Sequence, residues 1–284
     1  MAKRDPSQNP SKALKSLGAR PRKNLGQHFL TSQSVLDRII DGAEITPGQG
    51  IVEVGPGLGA LTVRLLSAGA HVLALEMDRD LGPALEARLG ADAPFTLMMG
   101  DALELDIAPH LKAELAPWKV VANLPYNVAT PIIFRFLEMS PGFERLVVMV
   151  QKEVADRMLA SPGEKAFGAM TLNLGYLAQV KRVVNVPPGA FHPPPKVHST
   201  VVCITPHGAP PVDPGDPKLL KKIIKLSFQG RRKTLMNGLK PLGLPREDLE
   251  AVLTGADIPV SVRGERLSLA QFAAIARGIH ALKT

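Results

Sequence analysis

The sequence predicts an α/β protein with a mostly parallel sheet, followed by a small all-helical C-terminal domain. Apolar segments rich in Val, Ile and Leu recur along the first part of the chain, and a helix-like segment follows each of them. Beyond a proline-rich stretch the apolar spacing becomes helical throughout. The length of 284 residues is enough for about two domains of roughly 150 residues each.

Five predicted strands define the sheet, and two later segments extend it. The five are Gly50–Val54, His71–Glu76, Phe95–Met99, Lys119–Ala122 and Arg145–Val150. Two further candidates, Val180–Val186 and Val197–Thr205, lie close together in the sequence and could close the sheet with an antiparallel edge. Alternation of strands and helices of this kind predicts parallel β/α units.

The predicted domain boundary lies in Pro206–Pro217, where five prolines and two glycines occur in 12 residues. We expect a disordered basic arm over residues 1–20, an α/β domain over 21–206 and a helical domain over 207–284. The predicted helices of the last domain are Leu219–Phe228, Arg231–Leu239, Arg246–Leu253 and Leu269–Leu282.

The positive charge is concentrated in two blocks. Residues 1–25 carry seven Lys or Arg against one acid, and residues 218–233 carry seven with no acid, whereas the net charge of the chain is +8. The rest of the chain is therefore acidic. Two basic blocks on an acidic body suggest a polyanion such as nucleic acid. A solvated tail and a solvated helix face are the alternative.

Composition excludes several classes of protein. With 45% hydrophobic and 21% charged residues, the chain is typical of a folded globular protein rather than a disordered one or a coiled coil. No uncharged segment reaches the length of about 20 residues that crosses a bilayer. The N-terminus has no apolar core of a secretory signal, and the single cysteine, Cys203, excludes an internal disulfide. We expect a cytoplasmic protein.

A glycine-rich turn follows the first predicted strand. The segment from Val54 to Ala60 reads Val-Gly-Pro-Gly-Leu-Gly-Ala and enters a helix at the edge where open α/β sheets bind ligands. Small residues let the backbone approach a nucleoside, and the helix N-terminus supplies amide donors. The motif also satisfies the G-x-G-x-x-G/A dinucleotide fingerprint, and a tight turn without a ligand is a further alternative.

Two acidic residues end the next two strands. Glu76 lies 21 residues after Gly55, the place for a carboxylate that accepts from ribose hydroxyls. Asp101 follows 25 residues later and could accept from the exocyclic amine of adenine. Helix capping is the alternative for Asp101 alone. Together the three strand ends predict a nucleoside site, which suits NAD or an adenosyl methyl donor.

The most specific motif is Asn123-Leu124-Pro125-Tyr126, 22 residues after Asp101. The adenine amine is a poor nucleophile because its lone pair is delocalised into the ring. Two acceptors, the Asn123 amide oxygen and the Leu124 carbonyl, would favour the pyramidal nitrogen whose lone pair points at an electrophile. Tyr126 offers a ring on which the base can stack. A plain proline turn with a half-buried Tyr is the alternative.

Taken in order, these motifs resemble the ribosomal RNA adenine dimethyltransferases. Asn24 to Leu30 reads Asn-Leu-Gly-Gln-His-Phe-Leu, and Phe191 to Val197 reads Phe-His-Pro-Pro-Pro-Lys-Val. The resemblance extends from about Lys23 to the C-terminus. It implies a class I, Rossmann-like methyltransferase fold that uses S-adenosylmethionine. It also implies dimethylation of two adjacent adenosines in a hairpin loop near the 3′ end of 16S rRNA, with a role in subunit biogenesis.

The resemblance also implies the residues of the site. The donor contacts fall on His28, Leu30, Gly55, Glu76, Asp101 and Asn123. The base-holding positions fall on Asn123, Leu124 and Tyr126, with Phe191 on the other face of the adenine. A capping role is the alternative for His28, where many relatives have Asn, and a core role is the alternative for Phe191. Arg231, Arg232 and Lys233 are expected to contact RNA phosphates.

The sulfonium donor is already activated, so the reaction requires alignment rather than a strong base. We expect no metal, because the seven histidines are scattered without ligand spacing.

The expected partner is 16S rRNA within the small ribosomal subunit or its precursor. We expect a monomer that does not bind membranes.

Three rival functions remain. A sibling enzyme that methylates one adenosine of 23S rRNA and confers antibiotic resistance shares the catalytic motifs. The helical C-terminal region and the cluster Arg231–Lys233 favour the small-subunit enzyme. A non-enzymatic RNA-binding assembly or transcription factor would have no chemical need of Glu76, Asp101 and Asn123. An NAD dehydrogenase would leave Asn123–Tyr126 unexplained.

Overall fold

Two compact units make up the part of the chain that the computed structural model describes, which is residues 10–16, 20–22, 26–139, 142–230 and 233–282. The first unit holds the described residues up to Ala155 together with Val180–Pro206. The second holds Asp156–Gln179 together with the described residues from His207 onward.

Strands and helices alternate along most of the first unit, and helices make up most of the second. The strands are β1 Phe29–Leu30, β2 Gly50–Val54, β3 His71–Glu76, β4 Phe95–Met99, β5 Lys119–Asn123, β6 Arg145–Gln151, β7 Ala178–Val186, β8 Phe191–His192 and β9 Ser199–Pro206. The α-helices are α1 Pro10–Ser16, α2 Gln33–Ala43, α3 Ala60–Ser67, α4 Leu81–Leu89, α5 Ala129–Glu138, α6 Lys152–Leu159, α7 Ala169–Leu177, α8 Pro217–Ser227, α9 Leu235–Leu239, α10 Arg246–Gly255 and α11 Leu269–Ala281. Single 3-10 turns occupy Ala108–His110, Ala113–Leu115, Pro188–Ala190, Lys240–Leu242 and Gly264–Arg266.

A seven-stranded sheet runs in the order β4-β3-β2-β5-β6-β9-β7. The first five strands in this order are parallel, and β9 is antiparallel to β6. The predicted mostly parallel sheet with an antiparallel strand near one edge is therefore confirmed. Every residue of β2 is buried, as is typical of a parallel strand that is covered on both faces.

The strand order reverses direction beside β2. From β2 the chain continues through β3 to β4 on one side, and it then returns to place β5 and β6 on the other side. In open α/β sheets, ligands bind at such a switch point, outside the carboxyl ends of the strands. The carboxyl ends of β2, β3, β4 and β5 carry the glycine turn, Glu76, Asp101 and Asn123.

A second, two-stranded sheet joins two motifs that are distant in the sequence. Strand β1 pairs antiparallel with β8, with Phe29 opposite His192 and Leu30 opposite Phe191. The backbone N–H of Thr31 continues the contact by donating to the carbonyl oxygen of Ala190 at 2.8 Å. The sequence pattern predicted neither strand, because each has only two residues.

The N-terminal arm is ordered in part, contrary to the prediction of disorder over residues 1–20. Residues 10–16 form α1, and Leu14 is buried against Leu58 and Leu81 of the first unit. A single apolar contact of this kind leaves little periodicity in the sequence, so the pattern did not reveal the helix. The other residues of the predicted arm, 1–9 and 17–19, lie outside the described residues.

The second unit is helical and has its own apolar core. Helix α8 contributes Leu219, Leu220, Ile223 and Ile224 to that core, and α11 contributes Phe272. No helix or strand occupies the described residues between Pro206 and Pro217. Helix α9 is shorter than predicted, because the Thr234 side chain caps its first turn by accepting from Asn237 N–H.

The compact units differ from the predicted domain boundaries in one segment. Residues 156–179 were expected in the α/β domain but belong to the second unit. The physical reason is apolar packing, since Phe167 and Leu172 are buried in the same cluster as the α8 side chains. Among the described residues, no helix has both the length and the apolar character needed to cross a membrane.

Candidate active site

The carboxyl ends of the parallel strands border one cavity of about 350 Å³. Residues Gly26–Leu30, which we call the wall segment, form part of its lining. Eight of the sequence-predicted site residues line the same cavity, namely His28, Leu30, Gly55, Glu76, Asp101, Asn123, Leu124 and Tyr126. The structure therefore brings together residues from five separate parts of the sequence.

The turn after β2 depends on glycine. Gly55, Gly57 and Gly59 all have φ between +54° and +80°, a region that side chains of L residues rarely adopt. A Cβ at Gly59 would also come within 2.4 Å of Leu85 Cδ1. A Cβ at Gly55 would meet no described atom within 4 Å, and Gly55 lines the cavity. The missing side chain at Gly55 thus leaves room for a ligand beside the backbone.

The Glu76 carboxylate is buried and held by two backbone amides. Its Oε1 accepts from Asp78 N–H at 2.8 Å, and its Oε2 accepts from Gly57 N–H at 3.1 Å. Burial raises the pKa of Glu76, and the amide hydrogen bonds oppose that rise by favouring the charged form. Each oxygen keeps a further lone pair, so the carboxylate can accept from the two neighbouring hydroxyls of a ribose.

A second buried carboxyl, Glu53, was missed by the sequence analysis. It lies within β2 and lines the cavity, and its Oε2 has no hydrogen-bond partner among the described residues. Burial raises the pKa of Glu53 to about 8, so the carboxyl is largely protonated at pH 7. The signal was available in the sequence, because an acidic residue inside an apolar strand is rarely buried without a role.

Asp101 caps no helix, because residues 102–104 form a turn, and its predicted role in binding stays a prediction. Its Oδ1 accepts from Leu103 N–H at 2.8 Å, which fixes the side chain in the turn after β4. Asp101 also lines the cavity. The hydrogen bond to Leu103 leaves Oδ2 as an acceptor for a ligand amine.

The orientation of the Asn123 amide follows from its partner. Its Nδ2 donates to the backbone carbonyl oxygen of His28 at 3.1 Å. A carbonyl oxygen only accepts, so the group of Asn123 that faces it must be the NH₂. The amide oxygen Oδ1 is therefore left as the acceptor, which is the atom that the predicted chemistry requires.

The side chain of Tyr126 is held by two contacts, one at its hydroxyl and one on a face of its ring. Its hydroxyl lies 2.6 Å from Ser199 Oγ, and its ring stacks on His28 with centroids 5.8 Å apart and an angle of 24° between the planes. Burial raises the pKa of the Tyr126 hydroxyl. Because His28 covers one face of Tyr126, the opposite face is the one on which a base can stack.

The His28 ring is itself anchored. Its Nδ1 lies 2.7 Å from the carbonyl oxygen of Pro193, so Nδ1 carries the proton that is donated to that acceptor. The contact connects the wall segment to the motif Phe191–Val197. His28 thus lines the cavity and also supports Tyr126 from behind, an arrangement that the sequence did not indicate.

The structure does not bring Phe191 to the cavity, which corrects the expectation that it faces the base. Its side chain is 4% exposed and packs in the sheet core with Leu36 and Val201. The pairing of Leu30 with Phe191 across β1 and β8 places both side chains in that core. The core role left open by the sequence is the one that the structure shows.

Of the three predicted RNA-contact residues, the structure describes only Lys233, which belongs to the second unit. Arg231 and Arg232 lie outside the described residues, whereas Lys233 is exposed just before α9. Four further lysines follow a helical spacing along α8, and all are exposed, namely Lys218, Lys221, Lys222 and Lys225. The opposite face of α8 is buried in the core, so these lysines share the outward face.

Fold and site together define a class I methyltransferase. The sheet order, the glycine turn and the polar strand ends around one cavity are the features of that class. The family model described as ribosomal RNA adenine dimethylase matches residues 18–280, and the chain belongs to this family.

Similar proteins agree with this assignment. A protein named ribosomal RNA small subunit methyltransferase A from Pseudomonas aeruginosa is 44% identical over 257 residues, which cover 90% of this chain and 94% of the relative. A protein of the same name from Geobacter sulfurreducens is 43% identical over 265 residues, covering 92% and 96%.

Solved structures show the same fold. A dimethyladenosine transferase from Plasmodium falciparum superposes with a TM-score of 0.72 at 26% identity, covering 87% of this chain and 96% of the other. The 23S rRNA methyltransferase ErmE has a TM-score of 0.70 at 23% identity, covering 89% and 99%, and it shows the fold alone.

Proposed function

We propose that this protein transfers methyl groups from S-adenosylmethionine to the N6 amines of two adjacent adenosines near the 3′ end of 16S rRNA, in the small ribosomal subunit or its precursor. The observation that carries the proposal is the orientation of Asn123. Its Nδ2 is engaged by the His28 carbonyl, so its Oδ1 is an acceptor fixed inside the cavity. An adenine amine offers the hydrogens that such an acceptor needs.

The residues of the cavity suit the proposed donor. Glu76 supplies a fixed buried carboxylate for ribose hydroxyls, and Asp101 supplies an acceptor for an adenine amine. Gly55 leaves space beside the backbone that a Cβ would occupy. When bound, the donor supplies a methyl group on a sulfonium, which is already a strong electrophile.

The chain's own residues would then align the substrate. The Asn123 oxygen and the Leu124 carbonyl accept from the amine hydrogens, which favours the pyramidal nitrogen in the transition state. The free face of Tyr126 stacks on the target base after that base has left its stack in the RNA loop. Placement of the amine contributes to catalysis because it removes the entropic cost of a bimolecular encounter.

The basic residues of the second unit support an RNA substrate. The outward face of α8 carries four exposed lysines, and Arg231, Arg232 and Lys233 follow in the sequence. Positive charges that share one helix face form a surface that can bind the phosphates of RNA. Phosphate contacts position RNA without reading its bases, so base selection is left to the cavity.

The test is methylation of purified ribosomal subunits. The protein is incubated with isotope-labelled S-adenosylmethionine and small subunits from cells that lack the modification, and mass spectrometry of RNA fragments locates the methyl groups. We expect dimethyladenosine at two adjacent positions near the 3′ end of 16S rRNA. Preferential labelling of 23S rRNA in a parallel reaction would assign the resistance-type activity instead, and no labelling of either RNA would exclude the enzyme.

A further inference from the structure

The wall segment is joined to the turn after β3 by a partly buried hydrogen bond outside the predicted site. Gln27 Nε2 donates to Asp78 Oδ2 at 2.7 Å, and Asp78 is 2% exposed. Asp78 lies two residues after Glu76 and also donates its own N–H to Glu76 Oε1. A single residue therefore contacts both the wall of the cavity and the carboxylate predicted to hold the ribose.

The hydrogen bonds around Asp78 can be arranged in only one way, with both of its carboxylate oxygens as acceptors. Arg22 N–H donates to Gln27 Oε1 at 2.7 Å, which leaves Gln27 Nε2 to donate to Asp78. The other oxygen, Asp78 Oδ1, accepts from Asp80 N–H at 3.0 Å and lies 3.3 Å from Arg22 Nη1. Both carboxylate oxygens of Asp78 are thus acceptors that face donors only, and an uncharged amide cannot replace them without a conflict.

We propose that Asp78 is a positioning residue that couples donor binding to the placement of the wall segment. Through Gln27 it fixes Gly26–Leu30 against the cavity, and through its N–H it orients Glu76. This inference rests on the proposed function, because it takes the donor to bind at Glu76. Coupling is reciprocal, so a donor held by Glu76 should in turn hold the wall segment in place.

The test reverses the direction of the hydrogen bond between Gln27 and Asp78. In Asp78→Asn, the NH₂ group of the new amide must face other donors. Those donors are either Gln27 Nε2 on one side or the Asp80 N–H and the Arg22 guanidinium on the other. In Gln27→Glu, two carboxylates face each other. In the double variant Gln27→Glu/Asp78→Asn, the amide introduced at position 78 donates to the carboxylate introduced at position 27. The oxygen of that amide still accepts from Asp80 N–H and Arg22, so the double variant restores every partner with the net charge of the parent.

Donor affinity is measured by isothermal titration with S-adenosylmethionine. Each single variant should bind S-adenosylmethionine about tenfold more weakly, as expected when a hydrogen bond to a charged group is lost, and the double variant should recover most of that loss. The matched control is Asp80→Asn, because Asp80 is exposed and its side chain pairs, among the described residues, with the exposed Arg22 guanidinium at 2.5 Å. The control should stay within about twofold of the parent.

A second measurement follows the wall segment directly. Trypsin cleaves after Arg22 and Lys23, next to the wall segment, and mass spectrometry quantifies cleavage there. Saturating donor should slow this cleavage in the parent and in the double variant, and much less in the single variants. Gln27→Ala gives a further comparison if Asp78→Asn does not fold.

The outcomes separate the two proposals. Normal donor affinity in Gln27→Glu and Gln27→Ala, or single and double variants that are equally impaired, would overturn the coupling and leave the proposed function standing. Failure of the parent to bind S-adenosylmethionine would overturn both.

Discussion

Asn123 Nδ2 donates to the carbonyl oxygen of His28 at 3.1 Å, so the end of β5 and the wall segment are held together by the side chain that is predicted to hold the target amine. The NH₂ group of Asn123 thus holds two segments together, while its amide oxygen is left to accept a hydrogen bond from the target amine. Changes at Asn123 are expected to affect both ligands.

The first prediction concerns Asn123→Ala. Loss of an acceptor that acts in the transition state should lower turnover by roughly 10²- to 10³-fold. Donor affinity should also fall, because the wall segment loses its contact with β5. Single-turnover methylation of small subunits, combined with donor titration, measures the two effects separately. Near-normal turnover by a folded variant would place the amine elsewhere.

The second prediction concerns the Tyr126 ring. Tyr126→Ala should weaken substrate engagement by about 1 to 3 kcal/mol, the usual contribution of base stacking. Tyr126→Phe is the matched control, because it keeps the ring and loses only the hydrogen bond to Ser199. We expect the Phe variant to retain most activity in the same methylation assay. Equal loss in both variants would show that the hydroxyl, and not stacking, is what matters.

The third prediction concerns the donor. Glu76→Ala should weaken S-adenosylmethionine binding by roughly 1.5 to 3 kcal/mol, the range for a hydrogen bond to a charged group. The measurement is isothermal titration, with NAD titrated in parallel. Saturable binding of NAD without binding of the methyl donor would contradict the assignment of the cavity.

The fourth prediction concerns stability and pH through Glu53. Its pKa is raised from 4.5 to about 8 in the folded protein, so the folded state binds the proton more tightly than the unfolded state. Stability from this group is present in full below pH 4.5 and is lost as the pH rises towards 8. Glu53→Gln stays neutral, so it should become progressively more stable than the parent across that range.

Thermal melts at a series of pH values measure this difference. Glu86→Gln, which changes an exposed glutamate, should follow the pH dependence of the parent. A parallel pH dependence of the parent and Glu53→Gln would mean that folding does not raise the pKa of Glu53.

The fifth prediction concerns the basic block of the second unit. Each phosphate contact removed should reduce the slope of log affinity against log salt by about 0.7 to 0.9. Replacing Arg231, Arg232 and Lys233 with Ala should therefore flatten the slope by roughly 2 to 3 if all three residues contact phosphate. Binding to small subunits across a salt series measures this, and donor titration of the same variant controls for folding. An unchanged slope would assign the cluster to a solvated surface.

The sequence by itself determined the parallel core of the first unit. Strands β2, β3 and β4 begin and end where the apolar runs predicted, and β5 and β6 differ by one residue at the carboxyl end. Strands β2, β3, β5 and β6 are buried along nearly their whole length, whereas β4, at the edge of the sheet, is only partly buried. Burial on both faces produces the apolar runs that were recognised. The polar residues that follow the strands were identifiable for the same reason, because they interrupt those runs.

Only the tertiary structure decided which distant residues meet. The pairing of β1 with β8 places Phe191 in the core and His28 behind Tyr126, and a strand of two residues has too short a pattern to predict this. The bond between Gln27 and Asp78 and the packing of Phe167 with the α8 core also join segments far apart in the chain. Periodicity reports that a residue is buried, whereas its partner is fixed by the path of the whole chain, so these contacts could be found only in three dimensions.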